Sequence, residues 1–316
     1  MSGSPTRTAP ETAVPGRIRR CVLAGGSGAV GGLFAGLLAG AGIDVCVVDP
    51  APPAAGSDGL RHHPGDITAP DEALRAELAE TDLLLLAVPE EVALDAVRAT
   101  AGSLRPGALL ADTLSVKTRV AAEVAAHAAR REAVGLNPMF APSLGMDGRP
   151  VAAVVLHDGP LVAELLGLVA RNGGRVVRVG AERHDRLAAA SQALTHATVL
   201  AFGHALAELD VDIEELAAIA PPPHTALLAL LARIASGTPE VYWDIQSANP
   251  YAGDARDALA GGAARLKDLV RDNDEKTFAH FLHELSGGLG DRLPHYRDLC
   301  ADLFTRIPAA GPKDAS

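Results

Sequence analysis

Cys21-Val22-Leu23-Ala24-Gly25-Gly26-Ser27-Gly28-Ala29-Val30-Gly31 carries a short apolar run into a glycine cluster, and the residues from Ala29 to Ala41 continue as an apolar helix. The order strand, turn, helix gives the GxGxxG of Gly26, Ser27, Gly28, Ala29, Val30 and Gly31 a meaning its glycines alone would not have. Glycines permit the tight turn and let a pyrophosphate approach the backbone, while the helix N-terminus offers unpaired N–H groups. Ile43 to Val48 is the next strand-like run, and it stops at Asp49-Pro50, with Asp49 eighteen residues beyond Gly31. A carboxylate at that strand end accepts hydrogen bonds from adenosine ribose hydroxyls and repels a 2'-phosphate, which favours NAD over NADP. Turn formation is the other role open to an Asp there.

Beyond Asp49 a Pro/Ala/Gly loop leads toward Gly65-Asp66-Ile67, completing the spacing of a parallel βαβ unit. Leu83 to Val88 is a continuous apolar strand ended by Pro89, and Val88 and Pro89 fall at the carboxyl edge of the sheet, where such folds place ligands. Glu90 to Thr100 reads as helix, Ala108 to Asp112 as buried strand, Val116 to Arg131 as Ala-rich helix. Ala133 to Leu136, Val151 to Leu156 and Arg175 to Val179 supply the remaining strands. The expected architecture is an α/β Rossmann domain over 16–180, with a mostly parallel, doubly wound sheet, behind a disordered leader over 1–15. From Glu182 onward only Ala/Leu helices follow, broken by Pro221-Pro222-Pro223 and Asn249-Pro250, giving an all-α substrate and dimerisation domain over 181–305 and a flexible tail over 306–316. These helices are apolar around much of their circumference, which points to a homodimer formed through them.

Composition bounds the function. A chain of 316 residues has room for two cores, and with 48% apolar but only 3% aromatic residues those cores are built of small aliphatic side chains. A net charge of -11 repels phosphate backbones and argues against nucleic acid as a partner. Three cysteines without ligand spacing or a secretory segment indicate a reducing, cytoplasmic compartment, and no apolar run is long enough for a membrane span. The histidines form no HxH or HExxH group, and His280 and His283 lack an evident third ligand, so no metal is expected.

Two further segments sit where strands end. Asp112-Thr113-Leu114-Ser115-Val116-Lys117 and Asn137-Pro138-Met139-Phe140-Ala141-Pro142 each follow a buried strand and face the crevice in which a small-molecule substrate would bind. Together with Gln192-Ala193-Leu194-Thr195-His196 they resemble the Ser-Val-Lys, His-Pro-Met-Phe-Gly-Pro and substrate-histidine motifs of the prephenate dehydrogenase family, and Arg233 resembles its carboxylate-binding arginine. The resemblance runs from about Arg20 to Leu303, across both expected domains. It implies an NAD-dependent oxidative decarboxylation of a cyclohexadienyl dicarboxylate, with hydride lost from ring carbon 4 and aromaticity restored as carbon dioxide leaves. Catalytic roles are then implied for Asn137, Ser115 and His196, and a substrate-binding role for Arg233.

Ser115 equally suits an N-cap, and the two roles are compatible. Lys117 reads as solvent-facing or ion-paired, His196 as a pocket residue or a packed core histidine, and Arg233 as a buried guanidinium that needs a carboxylate, either the substrate's or an internal one. The departure from the family is Asn137, which stands where the resemblance implies a histidine acting as base. An amide orients and accepts a hydrogen bond but does not titrate near neutral pH. That change suits a substrate with an amino group on carbon 4, as in 4-amino-4-deoxyprephenate, whose conversion to 4-aminophenylpyruvate belongs to antibiotic pathways. The alternatives are prephenate or arogenate with Asn137 a tolerated variation or a cap before Pro138, and an NAD-binding sensor without turnover.

Overall fold

A computed structural model describes residues 17–52, 59–272 and 274–307, so the expected leader over 1–15 and most of the expected tail lie outside the described residues. The chain divides into two compact units, Met1–His184 and Asp185–Ser316.

The first unit alternates strands and helices: β1 (Arg20–Ala24), α1 (Ala29–Gly40), β2 (Asp44–Val48), β3 (Arg61–His63), α2 (Glu72–Glu80), β4 (Leu83–Leu86), α3 (Glu90–Thr100), β5 (Leu109–Asp112), α4 (Thr118–His127), β6 (Ala133–Pro138), β7 (Pro150–His157), α5 (Pro160–Arg171) and β8 (Arg175–Arg178). They form one eight-stranded sheet in the order β3-β2-β1-β4-β5-β6-β7-β8. All neighbours pair in parallel except β6 with β7. The order in which strands are added therefore reverses between β1 and β4, which stay parallel, and this is the switch point at which doubly wound sheets open a crevice.

The central strands are apolar because both of their faces are covered. Cys21 and Leu23 enter one core cluster with Phe34 and Leu38 of α1, whereas Val22 and Ala24 enter the other with Leu74, Leu78 and Val97 of α2 and α3. Leu83, Leu84, Leu85 and Leu86 are completely buried, two to each side.

The edge strand β3 carries no apolar alternation, which is why its sequence did not reveal it. Arg61 holds it through ion pairs to Asp44 of β2 and Glu77 of α2. Gly65-Asp66-Ile67, toward which the loop leads, lies in a turn beyond it. Helix α4 is also shorter than the Val116 to Arg131 expected. It begins at Thr118 with Lys117 in the N-cap position and no side-chain cap, so Ser115 does not serve as its N-cap. The residues between β5 and α4 are instead used to turn Lys117 inward.

The second unit is helical: α6 (Ala181–Ala188) crosses into it and continues through a π-helical turn, Ala189–Ala193, into α7 (Leu194–Glu208). After these come α8 (Ile213–Ile219), α9 (Pro222–Ala235), α10 (Pro239–Ser247), α11 (Ala252–Arg271), α12 (Glu275–Leu289) and α13 (Leu293–Thr305). Pro222 and Pro239 open α9 and α10, where a missing N–H costs nothing. No helix of the described residues is long and apolar enough to cross a membrane.

Candidate active site

A cleft of about 420 Å3 opens at the carboxyl ends of β1, β2 and β4, lined by Gly25, Gly28, Asp49, Asp66, Val88 and Pro89 among others. Of the expected loop residues, Gly28 faces the cleft directly while Gly26 and Gly31 serve the packing behind it. A Cβ on Gly26 would stand 2.7 Å from a methyl of Val47, and one on Gly31 would stand 2.1 Å from the Gly25 carbonyl oxygen. Ser27 ties the loop to β2, its N–H donating to Asp49 Oδ2 at 3.2 Å and its hydroxyl to the Ala51 carbonyl at 2.9 Å. Ala29 and Val30 begin α1, whose first turn holds no acidic residue and so leaves its positive end to an anion.

The glycine that sequence reasoning passed over is Gly25. It takes φ +82°, and a Cβ there would lie 2.2 Å from the Ala87 carbonyl oxygen. Its position, directly after a strand and directly before the motif, was the available signal. Asp49 accepts from Ser27 and from the Ala51 N–H at 3.0 Å, and a carboxylate has further lone pairs for ribose hydroxyls. Backbone N–H groups, a side-chain-free approach and an acidic strand end together fit an adenine dinucleotide.

One prediction follows from Gly31. Its replacement by Ala must push α1 away from the Gly25 carbonyl, so Gly31→Ala should weaken dinucleotide binding by about tenfold or more and cost roughly 1–3 kcal/mol of stability. Calorimetric titration with thermal unfolding checks both, and unchanged affinity would remove the close approach from the binding argument.

The second part of the site lies at the ends of β5 and β6, paired in parallel with Asp112 opposite Gly135. Ser115 is half-buried between the buried Leu114 and Val116. Lys117 is not solvent-facing: with 1% of its side chain exposed it forms an ion pair with Asp112, 5% exposed, and donates to the Leu136 carbonyl at 2.9 Å. Gly135 makes room for this pair, since a Cβ there would meet Asp112 Oδ2 at 2.8 Å. A Lys–Asp pair tying β5 to β6 holds the two segments carrying Ser115 and Asn137.

Asn137 is buried, and its amide nitrogen Nδ2 lies 3.1 Å from Nε2 of His184 on α6. His184, also buried, is a neighbour of Asn137 that the sequence did not single out. A lone histidine on a helix, 47 residues from its partner, gives no local sign of the contact.

In the helical unit the π turn precedes His196 on α7, and such turns are frequent at functional sites. Gln192 Oε1 and His196 Nδ1 are buried and have no hydrogen-bond partner among the described residues. The His196 ring stands edge-on to Tyr242 at 5.1 Å. Burial and then the charge of Arg233 hold the imidazole's pKa below its ordinary value, so it is neutral near pH 7. Arg233 itself is exposed rather than buried, because the apolar composition of α9 is not confined to one covered face. No ion pair between Arg233 and a carboxylate is present among the described residues.

Residues 59–159 match the nucleotide-binding domain of prephenate dehydrogenase and residues 180–284 its dimerization domain. The chain belongs to the prephenate dehydrogenase family. The first match contains Ser115, Lys117 and Asn137, and the second His184, His196 and Arg233. A 4-amino-4-deoxyprephenate dehydrogenase from Streptomyces pristinaespiralis is 55% identical over 288 residues, 91% of this chain and 97% of the relative. Among solved structures, the prephenate dehydrogenase from A. aeolicus in complex with hydroxyphenyl propionate and NAD+ superposes with a TM-score of 0.68 at 18% identity, covering 87% of this chain and 98% of that one. The Synechocystis arogenate dehydrogenase gives 0.60 at 18% identity, over 86% and 99% of the two chains. At that identity these two establish the fold.

Proposed function

We propose that this prephenate dehydrogenase family member catalyses the NAD-dependent oxidative decarboxylation of 4-amino-4-deoxyprephenate to 4-aminophenylpyruvate. The observation that carries the reading is the buried amide of Asn137, its nitrogen held by His184, at the position where the family motif implies a base. The 55% identity to a relative named for that activity supports it. Bound NAD supplies the acceptor for the hydride leaving ring carbon 4.

The electron count explains why an amide suffices. As hydride departs, the carbon 4 amine donates its lone pair and becomes an iminium. The bond from ring carbon 1 to its carboxylate then breaks, carbon dioxide leaves, and that electron pair restores the ring and returns the nitrogen to a neutral amine. No proton has to leave at any step. A hydroxyl follows the same path through a strongly acidic protonated carbonyl, for which a neighbouring base is the better partner. Asn137 Oδ1 accepts an N–H whose acidity grows toward the iminium, so the hydrogen bond strengthens in the transition state. Ser115, half-buried beyond β5, bonds the same substituent. Arg233 takes a substrate carboxylate, and neutral His196 adds a hydrogen bond without competing for that anion.

The assembly we propose is a homodimer formed through the helical unit. Leu282, Leu285, Leu289, Leu293, Leu299 and Leu303 of α12 and α13 are each at least 39% exposed in the single chain, a surface that a second copy would bury. The expected cytoplasmic setting and the expected indifference to nucleic acid and membranes belong to this reading.

The deciding experiment follows NADH formation with equal concentrations of 4-amino-4-deoxyprephenate and prephenate. A kcat/KM favouring the amine by about a hundredfold or more is expected. A preference for prephenate would place the enzyme with the hydroxyl substrates, and inactivity with both would make it a sensor.

A further inference from the structure

Asparagine's amide has two ends of nearly equal size and opposite character: the oxygen accepts and the nitrogen donates. In an exposed position either end can turn to a ligand. At Asn137, with 2% of the residue exposed, the choice belongs to whatever the amide touches inside the protein. It touches His184, a residue on α6 that is equally buried and whose helix is anchored by its own N–H donating to the Gly180 carbonyl at 2.8 Å. The contact runs from Asn137 Nδ2 to Nε2 at 3.1 Å, and an N–H there requires a lone pair on the ring nitrogen. While the ring keeps Nε2 unprotonated, turning the amide over would set Oδ1 against that lone pair, two acceptors in contact in a dry place; the reversed amide is satisfied only by the other tautomer, with the ring proton on Nε2.

We propose that His184 is a positioning residue that fixes which end of the Asn137 amide meets the substituent on ring carbon 4, and thereby sets the preference for an amine there. The proposal rests on the substrate assignment above. With the nitrogen held by His184, the oxygen is presented to the substrate and accepts an N–H, leaving the amine lone pair available to expel the hydride. With the amide reversed, Nδ2 would donate to that lone pair and withdraw it from the reaction. A hydroxyl oxygen keeps a second lone pair when one is engaged, so reversal harms the amine more than the alcohol. His184 therefore acts on the ratio between the two substrates, whereas a merely structural histidine would lower stability and leave the ratio alone.

The test is a double-mutant cycle read as the ratio of kcat/KM for 4-amino-4-deoxyprephenate over that for prephenate, at saturating NAD. His184→Leu should lower the ratio about tenfold when Asn137 is present and less than about twofold in an Asn137→Ala background, since coupling energy appears only between groups that act through each other. An unchanged ratio in His184→Leu, or the same loss in both backgrounds, overturns the proposal. Should the leucine variant fail to fold, His184→Gln decides: its amide oxygen can accept the same N–H, so the ratio should stay within about threefold of the unmodified enzyme. A ratio reduced as far as in Asn137→Ala alone overturns it. If the unmodified enzyme prefers prephenate, the substrate assignment falls, and the same cycle is read on prephenate alone. Non-additive losses then support the positioning role and additive losses overturn it.

Discussion

Lys117→Met should cost about 3–5 kcal/mol of folding stability, a large part of what a domain of this size possesses. The ammonium it removes is buried between two groups that have little access to water: Asp112, with 5% of its side chain exposed, and the Leu136 carbonyl at 2.9 Å. Without it Asp112 is a buried charge lacking its counter-ion, and only the Leu114 N–H, at 3.1 Å, remains among its described hydrogen bonds. Breaking such a pair from one side costs far more than the pair contributes. The double variant Lys117→Met with Asp112→Leu should therefore recover part of the loss, falling short by the roughly 1–3 kcal/mol that each of the Leu136 carbonyl and the Leu114 N–H costs when left without a partner. Urea unfolding of the two proteins measures this. Equal destabilisation by the single and double variants would mean that the charge pair is not the source of the cost. Because the pair joins the ends of β5 and β6, activity should fall in the single variant even under conditions where it stays folded.

Lys117 also shows where sequence reading reaches and where it stops. The strands β1 and β4 were legible because a sheet covered on both faces needs continuous apolar runs, and the glycine loop because its position between β1 and α1 gave its spacing a purpose. Asp49 was legible for the same reason. The inward course of Lys117 was not, since long cationic side chains are normally solvated and the groups that receive it come from two strands. Only the pairing of β5 with β6 brings Asp112 opposite Gly135 and creates the space. His184 was hidden more completely, because a contact across 47 residues leaves no periodicity behind. Arg233 misled in the opposite sense. Its apolar neighbours on α9 suggested burial, but in a helical unit with many exposed leucines apolar composition reports what a partner would cover as well as what the chain covers by itself.

Asn137→His should move the enzyme toward prephenate. The introduced imidazole can place one N–H on His184 Nε2, where the amide nitrogen now sits at 3.1 Å, and turn its other nitrogen's lone pair toward the carbon 4 substituent. That gives the hydroxyl substrate the base it lacks, and general-base assistance accounts for roughly 10²–10⁴ in rate, so kcat/KM for prephenate should rise by about tenfold or more even after some loss to imperfect placement. The amine gains nothing from a base because its reaction releases no proton. It loses the fitted acceptor and bears the cost of two added atoms in a site only 2% exposed, so its kcat/KM should fall. The pH dependence separates chemistry from packing. With Asn137 the amine reaction should follow the deprotonation of the substrate's own amino group, whereas Asn137→His should give prephenate turnover a new acid limb near the pKa of an imidazole, with rate lost as pH falls and the ring is protonated. Steady-state rates between about pH 5 and 9, with thermal unfolding as the control for folding, distinguish the two. A parallel fall for both substrates with no new limb would show that residue 137 fills space without choosing between nitrogen and oxygen.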